Sequence, residues 1–516
     1  MYSNIVSPAQ NYNYKIQFGG KYMENKTQNS LPKIISAAEL RAVAENEAST
    51  AKSRITALFD AGTFAETGAF AHKLAAEFGG IDKSELEGVV TGYGAIDGRL
   101  VFAFAQDTSR MKGALGAMHA KKICDLYDLA IKNGAPMIGI FDSAGAYIME
   151  GVEALAGYGK IMKKASDASG IIPQIAVIAG NCGGAMTTIA SMFDILVGAK
   201  SGSFYVNPPF VMNELDKNAE LGKIETAAKK GEISVVCDTD TDALAYARKL
   251  LSYIPQNNAD GTAYSATTDE INRLTPDVSA IISANGYSMA DVITAISDDA
   301  AFLELGADHA KSMLTGFVTL NGMVVGVVAN NPSHKGGKLT GCAAKKAARF
   351  ISFCDCFKVP VLTLVDTEGY DTCVDAEKSQ YSAALAKLAS AYASSSNAKV
   401  TVVLGKAYGA AYTLMGSKSV GADIALACDS AKISAMPTSS AVAFAWNDKV
   451  TDNAKRGEIE AEWDAVMASP VIAAKAGEID DIICLDELRQ RTSAAFEMLG
   501  AKNALCTKKL HNNLPL

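Results

Sequence analysis

VVTGYGAIDGRLVFAFAQD, residues 89–107, has a second version in the same chain: MLTGFVTLNGMVVGVVANN, residues 313–331. Each runs Thr-Gly-aromatic, then apolar residues, a turn dipeptide ending in glycine, and a second apolar run. Asp97-Gly98 and Asn321-Gly322 are the pairs that a two-residue hairpin with positive φ angles requires. The offset is 224 residues, and it persists: Lys121-Lys122 meets Lys345-Lys346, Pro136 meets Pro360, Asp142 meets Asp366 and Gly145 meets Gly369. A register kept without a gap through all of these marks an internal duplication. Two domains of one fold follow.

Each copy continues with the same grammar. Ile123, Leu126, Leu129 and Ala130 recur at helical spacing in the first, which ends near Asn133-Gly134, and Ala347, Phe350, Ile351 and Cys354 do so in the second. A proline then precedes an apolar strand, MIGIF (137–141) or VLTLV (361–365). Strands alternating with helices predict an α/β protein with a helix-covered parallel sheet in each copy. Further on, AGNCGGAMTTIA (179–190) is echoed by VTVVLGKAYGAAYTLMG (400–416), where the offset has drifted to 225 and Gly180 meets Gly405, Ala185 meets Ala410. Small residues at a strand-to-helix turn either pack a helix closely or aim backbone N–H groups at an anion. Neither GxxxxGK[ST] nor GxGxxG occurs there, which sets aside a P-loop or dinucleotide site. For one copy alone, packing is an equal account; two copies in equivalent places favour paired sites.

The chain has 516 residues, 49% hydrophobic and 20% charged, with 43 glycines, which fits a soluble α/β protein. A net charge of −8 argues against a nucleic-acid partner. Ten cysteines without a secretory signal read as reduced thiols in the cytoplasm. Cys354 and Cys356 form a lone C-x-C, and histidines 72, 119, 309, 334 and 511 are scattered without an HExxH, so no metal site is expected. No apolar run reaches the roughly 18 residues of a membrane helix. The expected organisation is a polar, poorly ordered leader at 1–30 and domains at 31–265 and 266–516.

With these features in view, the chain resembles the carboxyltransferase subunits of biotin-dependent acyl-CoA carboxylases, decarboxylases and transcarboxylases, two-domain proteins of the ClpP/crotonase fold. The resemblance spans residues 36–516, through ASTAKSRITALFDAGTF, VVTGYG, MHAKKI, NGAPMIG, EGVEALAGYG, LLSYIPQNN, KAARFISFCD and KKLHNNLPL. It implies a first domain that holds acyl-CoA and a second that receives biotin from a separate carrier protein. It also implies sites formed between subunits of a homo-oligomer, commonly a hexamer. The family's G-P-C-A-G-G-A falls on Gly180–Met186, which assigns the acyl-CoA oxyanion hole to the N–H groups of Gly184 and Ala185, beside Gly183. The family's K-A-Y-G-G-A-Y falls on Lys406–Tyr412 and assigns a biotin-side hole to Ala410 and Ala411, beside Tyr408 and Gly409. By the same match, Gly113, Ala144, Gly145 and Ala146 line the first site and Gly369 the second.

Moving CO2 between biotin and the α-carbon of an acyl thioester, with propionyl-CoA and methylmalonyl-CoA as the default pair, develops negative charge on each reactant in turn. Fixed backbone N–H donors stabilise such charge without reorganising, and losing one typically costs about 3 kcal/mol. Small side chains let the reactants approach to about 3 Å. The chain contains no biotin-accepting A-M-K-M and no ATP-binding unit. The implied partners are therefore a biotin carboxyl carrier protein and a biotin carboxylase or membrane decarboxylase subunit. Departures from the family pattern cluster around both sites: Lys112 for a glycine, Tyr147 for an arginine, Gly369–Cys373 for G-F-L-P-G, SAALAKL (382–388) for an R-H pair, and Met436–Ser440 for M-G-P-E-G. They leave open the direction of transfer and two other readings. One is a crotonase-fold hydratase or thioesterase with Asp142 or Glu150 as base; the other is a scaffold subunit whose second copy has lost catalysis.

Overall fold

The computed structural model describes residues 49–71, 86–212, 220–284, 286–450 and 453–502, together with Ser36, Ala38 and Glu214. The leader expected at 1–30, His72, His511 and the closing KKLHNNLPL lie outside the described residues. The chain divides into Met1–Glu47 and Ala48–Leu516. The fold below is that of the second unit.

Strands β1 to β9 are Ala65–Thr67, Val89–Ile96, Arg99–Gln106, Met137–Phe141, Gln174–Ile178, Asn181–Gly183, Ile195–Ala199, Ser203–Tyr205 and Val235–Cys237. Seven form one sheet in the order β1-β2-β3-β4-β5-β7-β9, while β6 and β8 make a short parallel ladder of their own. Strands β10 to β17 are Leu303–Glu304, Met313–Leu320, Met323–Asn330, Val361–Thr367, Lys399–Tyr408, Ile424–Cys428, Lys432–Ser434 and Asp481–Ile483. They form a second sheet, β10-β11-β12-β13-β14-β15-β17, with β16 beside the far end of β14. The second sheet repeats the first. The long β14 does the work of β5 and β6 together.

Both hairpins close on the dipeptides read from sequence. Asp97 and Gly98 have φ of 50° and 77°, Asn321 and Gly322 of 52° and 75°. They join Ile96 to Arg99 and Leu320 to Met323. Asn, Asp and Gly are the residues that occupy such angles at least cost. From β3 and β12 onward neighbouring strands run parallel. MIGIF is buried along its whole length, as a strand covered on both faces must be.

The helices that frame the site are α1 (Thr50–Leu58), α2 (Ala117–Asn133), α3 (Ala185–Ser191), α4 (Asp240–Tyr253), α5 (Gly341–Cys356) and α6 (Gly409–Leu414). Helix α2 stops where Gly134 takes a left-handed cap at φ 58°. It buries Ile123, Leu126 and Ala130, but Leu129 is 38% exposed. At about 100° per residue, Leu129 falls off the edge of the buried stripe. In the second copy, α5 buries Ala347, Phe350, Ile351 and Cys354 as their spacing predicts.

One apolar core joins the two sheets: Leu244 and Leu251 of α4 share it with Phe350 and Phe353 of α5, and Tyr253 stacks on Phe317 at 6.3 Å between ring centres. Each sheet has a further core on its other face, around Phe104 and Phe141 in the first and Leu362 and Leu404 in the second. The duplication extends to buried polar contacts. Lys122 donates to the Val89 carbonyl at 2.5 Å and Lys346 to the Met313 carbonyl at 2.7 Å. Burial pushes both amines down to about 8. No helix of the described residues is long and apolar enough to cross a membrane.

Candidate active site

The two matched aspartates stand where β4 and β13 end, and each holds the start of a small-residue turn. Asp142 Oδ1 accepts the Asn181 N–H at 3.1 Å, and Asp366 Oδ1 accepts the Lys406 N–H at 2.9 Å. Each carboxylate also presses on a glycine. A Cβ on Gly180 would lie 2.1 Å from Asp142 Cγ, and one on Gly405 2.5 Å from Asp366 Oδ2. A side chain at either place would have to displace the carboxylate.

The turns close on Gly184 at φ 61° and Gly409 at φ 64°. Ala185 opens α3 and Gly409 opens α6, so the amides of Ala185, Ala410 and Ala411 lie in first turns, where N–H groups lack an intrahelical acceptor. Ala185 and Ala410 are exposed, while the following Met186 and Ala411 are buried. Neither Ala185 nor Ala410 has a positive φ, so a methyl is tolerated at both. The Gly184 N–H differs: it donates to the Tyr205 carbonyl at 2.9 Å, extending the ladder that pairs Gly183 with Tyr205.

Loops from elsewhere meet each turn. Gly113, Gly145 and Gly369 sit at φ 64°, 109° and 113°. The Leu115 N–H donates to the Gly145 carbonyl at 2.8 Å, and the Leu339 N–H to the Gly369 carbonyl at 3.0 Å. Ala144 donates its N–H to the Lys112 carbonyl at 3.0 Å, and Ala146 bridges to Leu115. A Cβ on Gly113 would meet the Asp142 carbonyl at 2.5 Å, one on Gly337 the Asp366 carbonyl at 2.1 Å, and one on Gly369 the Tyr408 carbonyl at 3.7 Å. Gly113, Ala144, Gly145 and Ala146 thus gather beside Asp142 and Ser143, which bond Asn181 at the start of the first turn. Gly369 and Tyr408 gather around the turn of Gly409–Ala411.

The carboxyl transferase domain model matches residues 43–514. The chain belongs to the carboxyl transferase family. This carboxyltransferase is 35% identical over 480 residues to the propionyl-CoA carboxylase beta chain of Roseobacter denitrificans, covering 90% of this chain and 94% of that one. It is 37% identical over 507 residues to the methylmalonyl-CoA decarboxylase subunit alpha of Propionigenium modestum, covering 95% and 98%. Its backbone matches the crystal structure of the transcarboxylase 12S hexamer, solved with methylmalonyl-coenzyme A and methylmalonic acid bound, at a TM-score of 0.86 and 34% identity, over 90% of this chain and 93% of that one. The resemblance read from the motifs holds, and with it the fold class: an α/β enzyme built from two crotonase-like copies.

Sequence reasoning missed the side chains that support the turns of this carboxyltransferase. Asn181 stands where the family has proline, and its Nδ2 donates to the Ser143 carbonyl at 2.6 Å while its Oδ1 accepts from Ser203 Oγ at 2.8 Å and Tyr205 Oη at 2.7 Å. Arg54 of α1 reaches Asp142 at 2.7 Å, Asp240 at 3.0 Å and the Ala179 carbonyl at 3.3 Å. In the second copy the Tyr287 hydroxyl donates to Asp366 at 2.8 Å. Burial holds the Asp366 carboxyl above the usual range and drives the Tyr287 phenol well up. Lys406, the nearest cation, turns to Glu368 at 2.8 Å instead.

Other candidates resolve into structural parts. Asp142 is tied into an ion pair, and Glu150 accepts the Ala117 N–H at 2.5 Å, capping α2. His119 is fully buried, and burial together with the Lys122 charge pushes its imidazole down to about 3, so it packs as a neutral ring. Lys112 is exposed at φ 53° where its counterpart Gly336 has φ 61°. Left-handed angles at a non-glycine cost about 1–3 kcal/mol and gather where a binding loop needs them. Among the described residues no three His, Cys, Asp or Glu side chains are placed to hold a metal ion. Some large apolar side chains stand in the open: Ile148, two residues after Ala146, is 86% exposed, and Phe444, in the helix Thr438–Ala445, is 83% exposed.

Proposed function

We propose that this carboxyltransferase moves CO2 between biotin, carried on a separate protein, and the α-carbon of an acyl-CoA, with propionyl-CoA and methylmalonyl-CoA as the pair. The observation that carries this reading is the paired turn: two glycine-closed strand-to-helix junctions, each with open first-turn amides and an aspartate holding its start. Relatives named for propionyl-CoA carboxylase and methylmalonyl-CoA decarboxylase support the choice of substrate.

In this reading residues 31–265 form the acyl-CoA side and 266–516 the biotin side. The Ala185 N–H faces the thioester oxygen as the α-carbon becomes an enolate, and Gly184 adds a second donor by sharing its N–H with Tyr205. Gly183, Gly113, Ala144, Gly145 and Ala146 shape the wall around the thioester. In the second half, the N–H groups of Ala410 and Ala411 face the oxygen of the biotin ring, with Tyr408, Gly409 and Gly369 as its wall. The residues fit such a group, since Gly409–Ala411 carry nothing larger than a methyl and their amides lie in the first turn of α6. Biotin, when bound, supplies a carboxyl group that leaves as CO2. With Asp142 and Glu150 both engaged, a hydratase or thioesterase lacks a free carboxylate base at the first turn.

Exposed apolar residues in each half, Ile148 and Phe444 among them, support assembly of the first half of one copy against the second half of another, in a hexamer like that of the transcarboxylase. The carrier protein, and a biotin carboxylase or membrane decarboxylase subunit, complete the system. The nine free cysteines described fit a cytoplasmic location. The test is to incubate the pure protein with methylmalonyl-CoA or malonyl-CoA, with and without free biotin or biocytin, and to follow loss of the carboxyl group. Biotin-dependent decarboxylation is expected. Absence of turnover with several acyl-CoAs, even with a biotinylated partner present, overturns the reading.

A further inference from the structure

The two amide turns are braced from beneath by side chains to which the proposed reaction gives no part. In the first half, Asp142 Oδ1 fixes the Asn181 N–H and its Oδ2 is gripped by Arg54 Nη1 at 2.7 Å. Arg54, with a side chain only 11% exposed, also holds Asp240 at the start of α4 and the carbonyl of Ala179, the residue that leads into the turn. One guanidinium therefore grips both the carboxylate that holds the turn and the turn's own backbone. Its planar fork is suited to several acceptors at once.

The second half reaches the same end by other means. Asp366 Oδ1 fixes the Lys406 N–H, and its Oδ2 receives the Tyr287 hydroxyl. Gly405 lies against this carboxylate as Gly180 lies against Asp142, so movement of either aspartate is felt directly by the backbone of its turn. We propose that Arg54 and Tyr287 are positioning residues, which hold the first and second amide turns at reacting geometry through Asp142 and Asp366 respectively. The importance of that geometry for catalysis rests on the function proposed above; the bracing itself does not.

The second brace responds to pH. Asp366 faces the Tyr287 phenol, the Lys406 amide and ammonium, and Glu368, whose charge Lys406 offsets. Burial raises its pKa, while the hydrogen bonds from Lys406 and Tyr287 lower it. Asp366 takes up a proton as pH falls through that raised value, and the charge-assisted bond to the turn weakens. Removing the Tyr287 hydroxyl raises the pKa further, so the acid limb of biotin-dependent turnover moves to higher pH.

The experiment combines amide hydrogen exchange and kinetics on the full chain, with Arg54→Met, Arg54→Lys and Tyr287→Phe. Exchange is expected to speed up at 181–186 alone in Arg54→Met, and at 406–411 alone in Tyr287→Phe. For Arg54→Met, kcat is expected to fall about 10- to 100-fold with the acyl-CoA KM little changed, as misplacement of a reacting geometry does. Arg54→Lys restores part of it. If Arg54→Met does not fold, Arg54→Lys carries the same exchange signature in weaker form. Unchanged exchange at both turns overturns the proposal, as does equal loosening of both turns by either variant. If the wild type shows no biotin-dependent turnover, the proposed function fails, and the exchange data still decide the bracing.

Discussion

Between the first turn and the second, the backbone agrees and the supporting side chains do not. Gly113 and Gly337, Gly145 and Gly369, Gly180 and Gly405, Gly184 and Gly409 occupy equivalent places. Several of these would drive a Cβ to within 2.1–2.5 Å of a carbonyl or carboxylate, so any side chain there must push the frame or its aspartate aside. Beneath this shared frame, a three-pronged guanidinium supports Asp142 while a single hydroxyl supports Asp366. On the function proposed above, two copies that present amides to different reactants need the same frame. They do not need the same brace, because any group that fixes the carboxylate serves.

The frame is tested most severely by removing one N–H from each turn. Proline is tolerated in the first turn of a helix, so Ala185→Pro and Ala410→Pro delete a donor without breaking α3 or α6. Loss of a donor of this kind costs about 3 kcal/mol, or roughly a hundredfold or more in turnover. Ala185→Pro is expected to lose turnover while CoA affinity, measured by calorimetry, stays near wild type. Ala410→Pro should lose biotin-dependent transfer and leave acyl-CoA binding untouched. Either variant turning over normally breaks the equivalence of the two turns.

A smaller effect probes the contact between frame and brace. Gly180→Ala and Gly405→Ala each force a methyl onto a carboxylate, and overpacking of this kind costs about 1–3 kcal/mol. Gly180→Ala is expected to lower the thermal midpoint more, because the Arg54 that grips Asp142 is itself anchored by Asp240 and the Ala179 carbonyl, whereas Asp366 meets a hydroxyl that can turn aside. Equal losses in the two variants would show that the braces are equally stiff.

The frame was legible in sequence for the reason that it is constrained. Hairpin dipeptides, bare turns and buried strands each leave a local mark, and the offset of 224 repeats the mark. Leu129 was misread because spacing alone gives a stripe without its edges. The braces left no mark. Arg54 lies 88 residues from Asp142 and Tyr287 lies 79 from Asp366. The register that found everything else is blind to them, since 54 + 224 is Val278 and 287 − 224 is Thr63. The engagement of the Gly184 N–H by Tyr205 was likewise hidden, because it depends on which strand lies beside β6.

The gentlest test uses the buried lysines, where the halves match in sequence and in the downward shift of the amine. Among the described residues Lys122 donates to the Val89 carbonyl, and Lys346 donates to the matching Met313 carbonyl and to those of Gly306 and His309. Each buried carbonyl left unpaired costs about 1–3 kcal/mol, so Lys122→Met and Lys346→Met should each destabilise the protein at neutral pH. Both amines fall from 10.5 to about 8 on folding. Between those values the unfolded chain binds more protons, so each lysine makes stability rise with pH across that window. Replacing either lysine by methionine removes its share of the rise. The gap between wild type and variant, measured by urea unfolding, should therefore widen from pH 8 to pH 10. A gap that narrows instead would mean that the carbonyls hold the ammonium form more firmly than burial opposes it.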